Sequence, residues 1–335
     1  MGNRPILWLK WVFILLALLL CTFILSLGVG PVYVSLSKLF SLWCRGQGTY
    51  EYAILFEVRL PRILLGFAVG GGLAVAGVML QGMFRNPLVE PYTLGISGGA
   101  ALGVCVNIVS GGPQSLGVLS LPVSGFLGAV GAISVVYILS TKGGVIRLFR
   151  LLLIGVMVSF MASSLIMLIM AIARAEDLHG IIFWIMGSLD EANFFLIRVI
   201  LLVSVGGLFL SLFFAVDLNA FSLGEEEASH LGVEVERVKK ELFLLASFLT
   251  GCCVSVTGII GFVGLVVPHV MRLLVGSDHR ILLVVSYLSG AIFLILCDTL
   301  ARVVIAPMEL PVGVITGLIG GSVFIYALIR RGTSF

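Results

Sequence analysis

A few residues in this sequence have side chains and spacings suited to chemistry. The stretch Gly95-Ile-Ser97-Gly98 sets a serine in apolar surroundings, and His269 lies in a later apolar run. A histidine beside a serine hydroxyl takes its proton and makes it a nucleophile. That pair would read as an intramembrane serine protease. Asp298 and Arg302 are four residues apart, on one face of a helix, where opposite charges pair. Asp298 is also the one acid expected within a long apolar run, and such acids mark ion pathways. Its presence keeps an ion-driven secondary transporter in view. The densest charge cluster is Glu225, Glu226, Glu227, Glu234, Glu236 and Glu241 with Arg237, Lys239 and Lys240. It reads either as a solvated connector or as a surface for a partner. Asn86 precedes Pro87, and His269 follows Pro268. Polar side chains at proline breaks in membrane helices satisfy the freed backbone groups. Six cysteines show no C-x-x-C spacing, so neither a disulfide framework nor a zinc site is indicated. No metal or other cofactor is expected on the chain. It contains no G-x-x-x-x-G-K-[ST], the loop that cradles nucleotide phosphates.

These residues sit in an unusual solvent. The chain is 60% hydrophobic and 11% charged, with a mean hydropathy of +1.20. A soluble domain carries roughly 25% charged residues. That much apolar surface cannot be hidden in one water-soluble core, so a soluble enzyme, a nucleic-acid-binding domain and a disordered chain are excluded. A net charge of +3 gives no argument for a polyanionic partner. The composition is that of an integral membrane protein whose apolar surface touches lipid.

A bilayer core needs about 20 helical residues per crossing. Apolar runs lie near 11–30, 60–82, 92–110, 117–140, 151–173, 194–216, 281–301 and 311–329. The run 242–275 would reach about 51 Å as one helix, too long for one crossing. Gly258, Gly261, Gly264 and Pro268 offer break points within it. Split in two, it brings the expected count to ten, in an all-α polytopic bundle. The first run follows Arg4 and Lys10 but has no A-x-A-like exit, and it reads as an uncleaved span. With both termini cytoplasmic, 13 basic residues fall inside. The other 7 fall outside: Lys38, Arg45, Arg59, Arg62, Arg174, Arg198 and Arg302. That bias agrees with the positive-inside rule and favours N-in, C-in.

Glycines four apart recur at Gly66/Gly70, Gly95/Gly99/Gly103 and Gly313/Gly317/Gly321. Each set shares a helix face and lets another helix approach closely. The same stripes would suit a pathway lining or a subunit interface. Within the soluble segment 217–241, Ser222-Leu-Gly-Glu225 fits a capping box, and Gly232 is placed to stop a helix over about 223–231. The link Thr141 to Arg150 holds Lys142 and the flexible pair Gly143-Gly144, a candidate cytoplasmic gate by position. Met157, Phe160, Met161 and Met167 share a face of the fifth run, which reads as core or as a roomy apolar path.

The string Leu223-Gly-Glu-Glu-Glu-Ala-Ser-His-Leu-Gly-Val233 resembles the coupling segment of FecCD-type permeases. These are membrane subunits of ATP-binding-cassette importers for iron chelates, haem and cobalamin. Arg59-Leu-Pro-Arg62, Gln81, Arg85-Asn-Pro-Leu88 with Glu90-Pro91, and Leu94-Gly-Ile-Ser-Gly-Gly-Ala100 resemble the family's N-terminal signature. Phe183-Trp-Ile-Met-Gly-Ser188 resembles its midpoint. The C-terminal half is similar through Gly261 to His269, Arg272, Asp278-His-Arg280, Asp298-Thr-Leu-Ala-Arg302 and Glu309-Leu-Pro-Val-Gly313. The matches run from about residue 57 to 330 in family order. Gly321-Ser322 departs from the family, which usually has a proline in the last span.

The resemblance implies one permease domain over 1–335 with ten spans and cytoplasmic termini. It implies a type II importer without enzymatic activity of its own. Its partners would be a second permease subunit, most simply a copy of itself, and two cytoplasmic ATPases that use ATP and Mg. An extracytoplasmic substrate-binding protein would complete the assembly. By match, Leu223, Gly224, Glu225, Glu226, Glu227, Ala228, Leu231 and Gly232 would couple to the ATPase. Arg59, Arg62 and Arg302 would receive carboxylates of the binding protein, for which guanidinium forks are suited. Thr141, Lys142, Gly143 and Gly144 would gate the cytoplasmic side. The cargo would be a metal chelate: an iron-siderophore first, haem or cobalamin next.

Overall fold

A run of apolar residues in lipid must satisfy its own backbone groups, and a helix does so residue by residue. The computed structural model describes residues 4–32, 48–112 and 114–330; Lys38, Cys44, Arg45 and Arg331 fall outside these. Each expected apolar run coincides with a helix. In chain order they are α1 (Arg4–Gly28), α2 (Leu60–Phe84), α3 (Ile96–Ser110), α4 (Ser120–Ser140) and α5 (Leu148–Ile172). The short α6 (Ala175–Met186) precedes α7 (Phe194–Phe213). Two short helices come next, α8 (Ala215–Phe221) and α9 (Glu225–His230). The chain ends with α10 (Val235–Thr257), α11 (Val263–Val275), α12 (His279–Val303) and α13 (Val312–Arg330). Among the described residues, seven helices are long and apolar enough to cross a membrane. Three shorter apolar helices, Ile96–Ser110, Val263–Val275 and Val312–Tyr326, match the other expected runs.

The all-α expectation has one small exception. Thr141–Lys142 (β1) and Val145–Ile146 (β2) form an antiparallel hairpin, pairing Thr141 with Ile146 and Lys142 with Val145. Its two-residue turn has φ of 61° at Gly143 and 80° at Gly144. Positive φ at both turn positions matches the twist of a tight hairpin and suits Gly-Gly.

α2 is the axis of the bundle. Of its 25 residues 21 are buried, and it packs against α7, α10, α11 and α12. Gly66 and Gly70 face α12, where Gly70 meets Gly290 backbone to backbone. Gly99 and Gly103 face Gly128 and Ser124 of α4. In α13 the stripe is uneven: Gly313 abuts the Met186 and Ile259 carbonyls, while among the described residues no atom lies within 4 Å of a Cβ at Gly317. By contrast only 4 of the 25 residues of α5 are buried. Met157, Phe160, Met161 and Met167 are 49–68% exposed, so their face is not core of this chain.

The long run 235–275 breaks at Gly258–Phe262, with Phe262 left-handed at φ 68°. Gly264 and Pro268 were also expected break points, but both lie inside α11. Pro268 lacks the N–H that would reach the carbonyl of Gly264. Gln81 of α2 supplies it, donating from Nε2 to the carbonyls of Gly264 (3.3 Å) and Leu265 (3.2 Å). A side chain from the central helix thus replaces the missing backbone donor.

This packing is open to two tests. Gly290→Leu should destabilise the purified protein by about 1–3 kcal/mol through overpacking against Gly70. Gly317→Ala should change stability by less than about 0.5 kcal/mol. Thermal unfolding in detergent reads both, and equal losses would contradict the packing described. Gln81→Leu should cost about 1–3 kcal/mol by orphaning a buried carbonyl. In a Pro268→Ala background, where the N–H returns, that cost should shrink. Strictly additive effects in the four-member cycle would refute the replacement.

Candidate functional site

At one end of the bundle, the end of α1, the start of α2 and the end of α12 bring three arginines together. Arg59, Arg62 and Arg302 are 2–7% exposed. Buried guanidinium groups need partners on every side. Arg59 donates to the carbonyls of Leu27 (2.6 Å) and Gly28 (3.2 Å), the last residues of α1, and to that of Val32. Arg62 reaches Glu309 Oε2 at 2.6 Å, pairs with Asp190, and stands 3.8 Å from Asp298 Oδ1. Arg302 Nε lies 3.0 Å from Asp298 Oδ2, at ion-pair distance but off the hydrogen-bond direction. Its Nη2 donates to Ser26 Oγ at 2.8 Å. Two of the arginines, Arg62 and Arg302, thus meet three acids, while Arg59 is held by main-chain carbonyls. Two of the acids keep an open side: Asp190 and Glu309 have side chains 61% and 40% exposed. Arg62, Asp190, Asp298 and Glu309 border a cleft of about 300 Å³, with Trp184 and Phe183 on its apolar wall.

The break before α11 is held beside this core. Glu90 Oε1 accepts from the Phe262 N–H at 2.6 Å, and Tyr92 Oη accepts from the Ile260 N–H at 3.2 Å. Asn86 Oδ1 accepts from the Leu88 N–H at 2.9 Å, closing the turn around Pro87. His269 turns its ring edge-on to Phe324 of α13, centroids 5.8 Å apart.

The other end carries the acidic segment. α9 begins at Gly224 (φ 138°) and ends where Gly232 turns left-handed at φ 90°. Ser222, expected as the cap, instead donates to the Asn219 carbonyl at 2.6 Å. Gly224 takes the N-cap position, so the helix starts two residues later than a Ser222 cap implies. Leu223 and Leu231 flank α9 at 63% and 66% exposure. Glu226 and Glu227 are exposed and Ala228 is buried. Asn219 of α8 anchors the segment to the α11–α12 link. Its Nδ2 donates to Asp278 Oδ1 at 2.9 Å, and its Oδ1 accepts from the His279 N–H at 2.8 Å. Burial pushes the Asp278 carboxyl up, but donors from Arg280 and Asn219 outweigh it and hold it below the usual carboxylate range. The Thr141–Ile146 hairpin lies at this same end.

The model of the FecCD transport family matches residues 18–330. The chain belongs to the FecCD transport family. This member is 39% identical over 318 residues to the hemin transport system permease of Yersinia pestis, covering 94% of each chain. It is 37% identical to the molybdate import system permease of Haemophilus influenzae, over 96% of this chain and 97% of that one. A solved metal-chelate-type ABC transporter in an inward-facing conformation superimposes with a TM-score of 0.83. The two share 34% identity, over 96% of this chain and 99% of that one. The FecCD chain is therefore a multi-pass protein of the cytoplasmic membrane.

Several expectations change against this geometry. Arg59, Arg62 and Arg302 are each engaged within the chain rather than projecting freely, although the buried Arg302 Nη1 has no hydrogen-bond partner among the described residues. Asp298 is a paired acid, neutralised by Arg302 and Arg62, so the ion-pathway reading loses its residue. Ser97 starts α3, which packs on α4 and α5, whereas His269 lies on α11 against α2, α12 and α13. This arrangement gives the serine-protease reading no geometry. The sequence reading missed Gln81 as a backbone surrogate, because a lone glutamine in an apolar run carries no partner signal.

Replacing a single member of the arginine cluster should expose its design. Arg302→Met alone should cost about 3–5 kcal/mol, since it orphans a buried carboxylate. Adding Asp298→Leu should recover part of that loss. Thermal stability in detergent reads both, and a double variant no better than the single one would argue against the pairing.

Proposed function

We propose that the chain is the membrane-spanning permease subunit of a type II ABC importer that moves a metal chelate inward. The family match over 18–330, joined to the 0.83 superposition on a metal-chelate-type transporter, carries this reading. Ten spans with both termini cytoplasmic fit the ten apolar helices and the bias of basic residues. Two copies pair in the membrane, and the exposed Met157, Phe160, Met161 and Met167 face of α5 lines the roomy apolar path a chelate needs. Two cytoplasmic ATPases dock at α9, where Leu223 and Leu231 offer apolar contacts beside Glu226 and Glu227. The hairpin at Thr141–Ile146, with Lys142, Gly143 and Gly144 exposed, gates the path at that end.

The extracytoplasmic binding protein docks at the arginine end. Arg59 and Arg302 hold that end together. Arg62 is the docking residue, because two of its partners, Asp190 and Glu309, are surface acids that an incoming carboxylate can replace. The cargo proposed first is an iron-siderophore, then haem or cobalamin. ATP/Mg is used by the partner ATPase, and this chain binds no cofactor.

The test is uptake into proteoliposomes holding the permease, its ATPase and its binding protein. Ferric siderophore, haem, cobalamin and molybdate are offered in turn. Uptake should require ATP on the ATPase side and persist after ion gradients are collapsed. Gradient-driven uptake without ATP would sink the proposal, and molybdate uptake alone would replace the cargo. Changing Glu225, Glu226 and Glu227 together to Lys should lower ATP-driven uptake by about tenfold, the order of a typical intersite coupling. Unchanged uptake would count against docking at α9.

A further inference from the structure

Lys239, on the second turn of α10, has a side chain only 3% exposed, although it lies in the most charged segment of the chain. An ammonium has three donors and no acceptor. Three oxygens surround this one, each from a different element. Glu225 Oε2 of α9 is 2.9 Å away, Glu236 Oε1 of α10 is 2.5 Å away, and the Ile146 carbonyl of β2 is 3.2 Å away. Glu236 closes the circuit. Its other oxygen accepts from the Ile146 N–H at 2.7 Å. Both backbone polar groups of Ile146 are thus held by α10, and the Ile146 side chain is itself buried in the core.

We infer that Lys239 is the positioning residue that links α9 to the Thr141–Ile146 hairpin. The inference rests on the coupling and gating reading above and deepens it. Three features carry it. The ammonium is buried, so water does not substitute for a lost partner and the three contacts form or break together. The hairpin is only four residues of strand, so the Ile146 anchor controls much of its structure. And Glu225 is the residue of α9 whose carboxylate turns inward, while Glu226 and Glu227 face solvent. A displacement of α9 moves Glu225, unbalances Lys239 and releases or tightens Ile146. The remaining acids can meet the ATPase without disturbing the link. An arrangement of this kind has two states, with the link made or broken, which is what a switch requires.

The experiment is hydrogen exchange with mass spectrometry on the full transporter reconstituted with its ATPase, with and without a non-hydrolysable ATP analogue. In the wild type, peptides spanning α9 and the hairpin should both change exchange on nucleotide binding. Lys239→Met should keep the α9 response, abolish the hairpin response and lower uptake per ATP hydrolysed by about tenfold. Glu236→Ala, at a half-exposed site, cuts the Ile146 N–H bond without burying a charge and should do the same. It serves if Lys239→Met fails to assemble. A hairpin response unchanged in Glu236→Ala or in an assembled Lys239→Met would overturn the link while leaving coupling at α9 intact. A wild type in which α9 itself does not respond would overturn the coupling reading and the link with it. Loss of fold alone would lower uptake and hydrolysis together and would not separate the two peptides.

Discussion

A guanidinium group in a membrane bundle cannot be left without partners, and much of this architecture follows from housing three of them at one end. Arg59 ties the start of the central helix to the end of α1 through main-chain carbonyls. Arg62 and Arg302 meet across Asp298, so α2 and α12 share a charge network as well as a glycine contact. Placing ions there costs desolvation, which their pairing offsets only when every member is present. Such a cluster adds little net stability over an apolar core. What it adds is register, because α1, α2, α12 and the loops bearing Asp190 and Glu309 satisfy the charges in one relative position.

The same requirement governs the backbone. The chain interrupts its helices at Gly258–Phe262 and removes a donor at Pro268, and in lipid neither can be left to water. Glu90, Tyr92 and Gln81 supply the missing partners from neighbouring elements. Irregular backbone is therefore confined to places where α2 or the segment after it can reach. That is consistent with a central helix buried on nearly every face while α1, α4 and α5 keep broad apolar surfaces outward.

Period and composition made the membrane class and each apolar helix legible, because lipid imposes a length and a polarity that few other sequences satisfy. The halves of the long run were legible as well, although the break fell at Gly258–Phe262 and spared Pro268. A proline inside a helix is tolerated when a side chain such as Gln81 stands four residues back in space, and linear spacing does not reveal that. Gly232 ended its helix as expected, since a left-handed residue is needed there whatever the surroundings. Ser222 did not cap, because the Asn219 carbonyl competes for its hydroxyl. The charged residues were the hardest to read. Arg59, Arg62 and Arg302 stood out as a set, but their partners lie up to 276 residues away in sequence, at Ser26 for Arg302. Lys239 looked like any other basic residue beside Lys240, which is exposed.

The two ends of the bundle differ in how their charges are disposed. At the arginine end the cations are buried, and two of the three acids, Asp190 and Glu309, reach the surface. In the proposed docking, a carboxylate-bearing partner would meet acids first and gain Arg62 only by displacing Asp190 or Glu309. Such an exchange makes contact conditional on shape, because an ill-fitting partner faces repulsion without reaching the guanidinium. At the α9 end the order is inverted: Glu226, Glu227, Leu223 and Leu231 are exposed, and the cation, Lys239, is buried beneath them. In the proposed coupling, a partner there would bind the surface directly, and its effect would pass inward through Glu225. On this reading one end would select what docks, and the other would transmit what docking does.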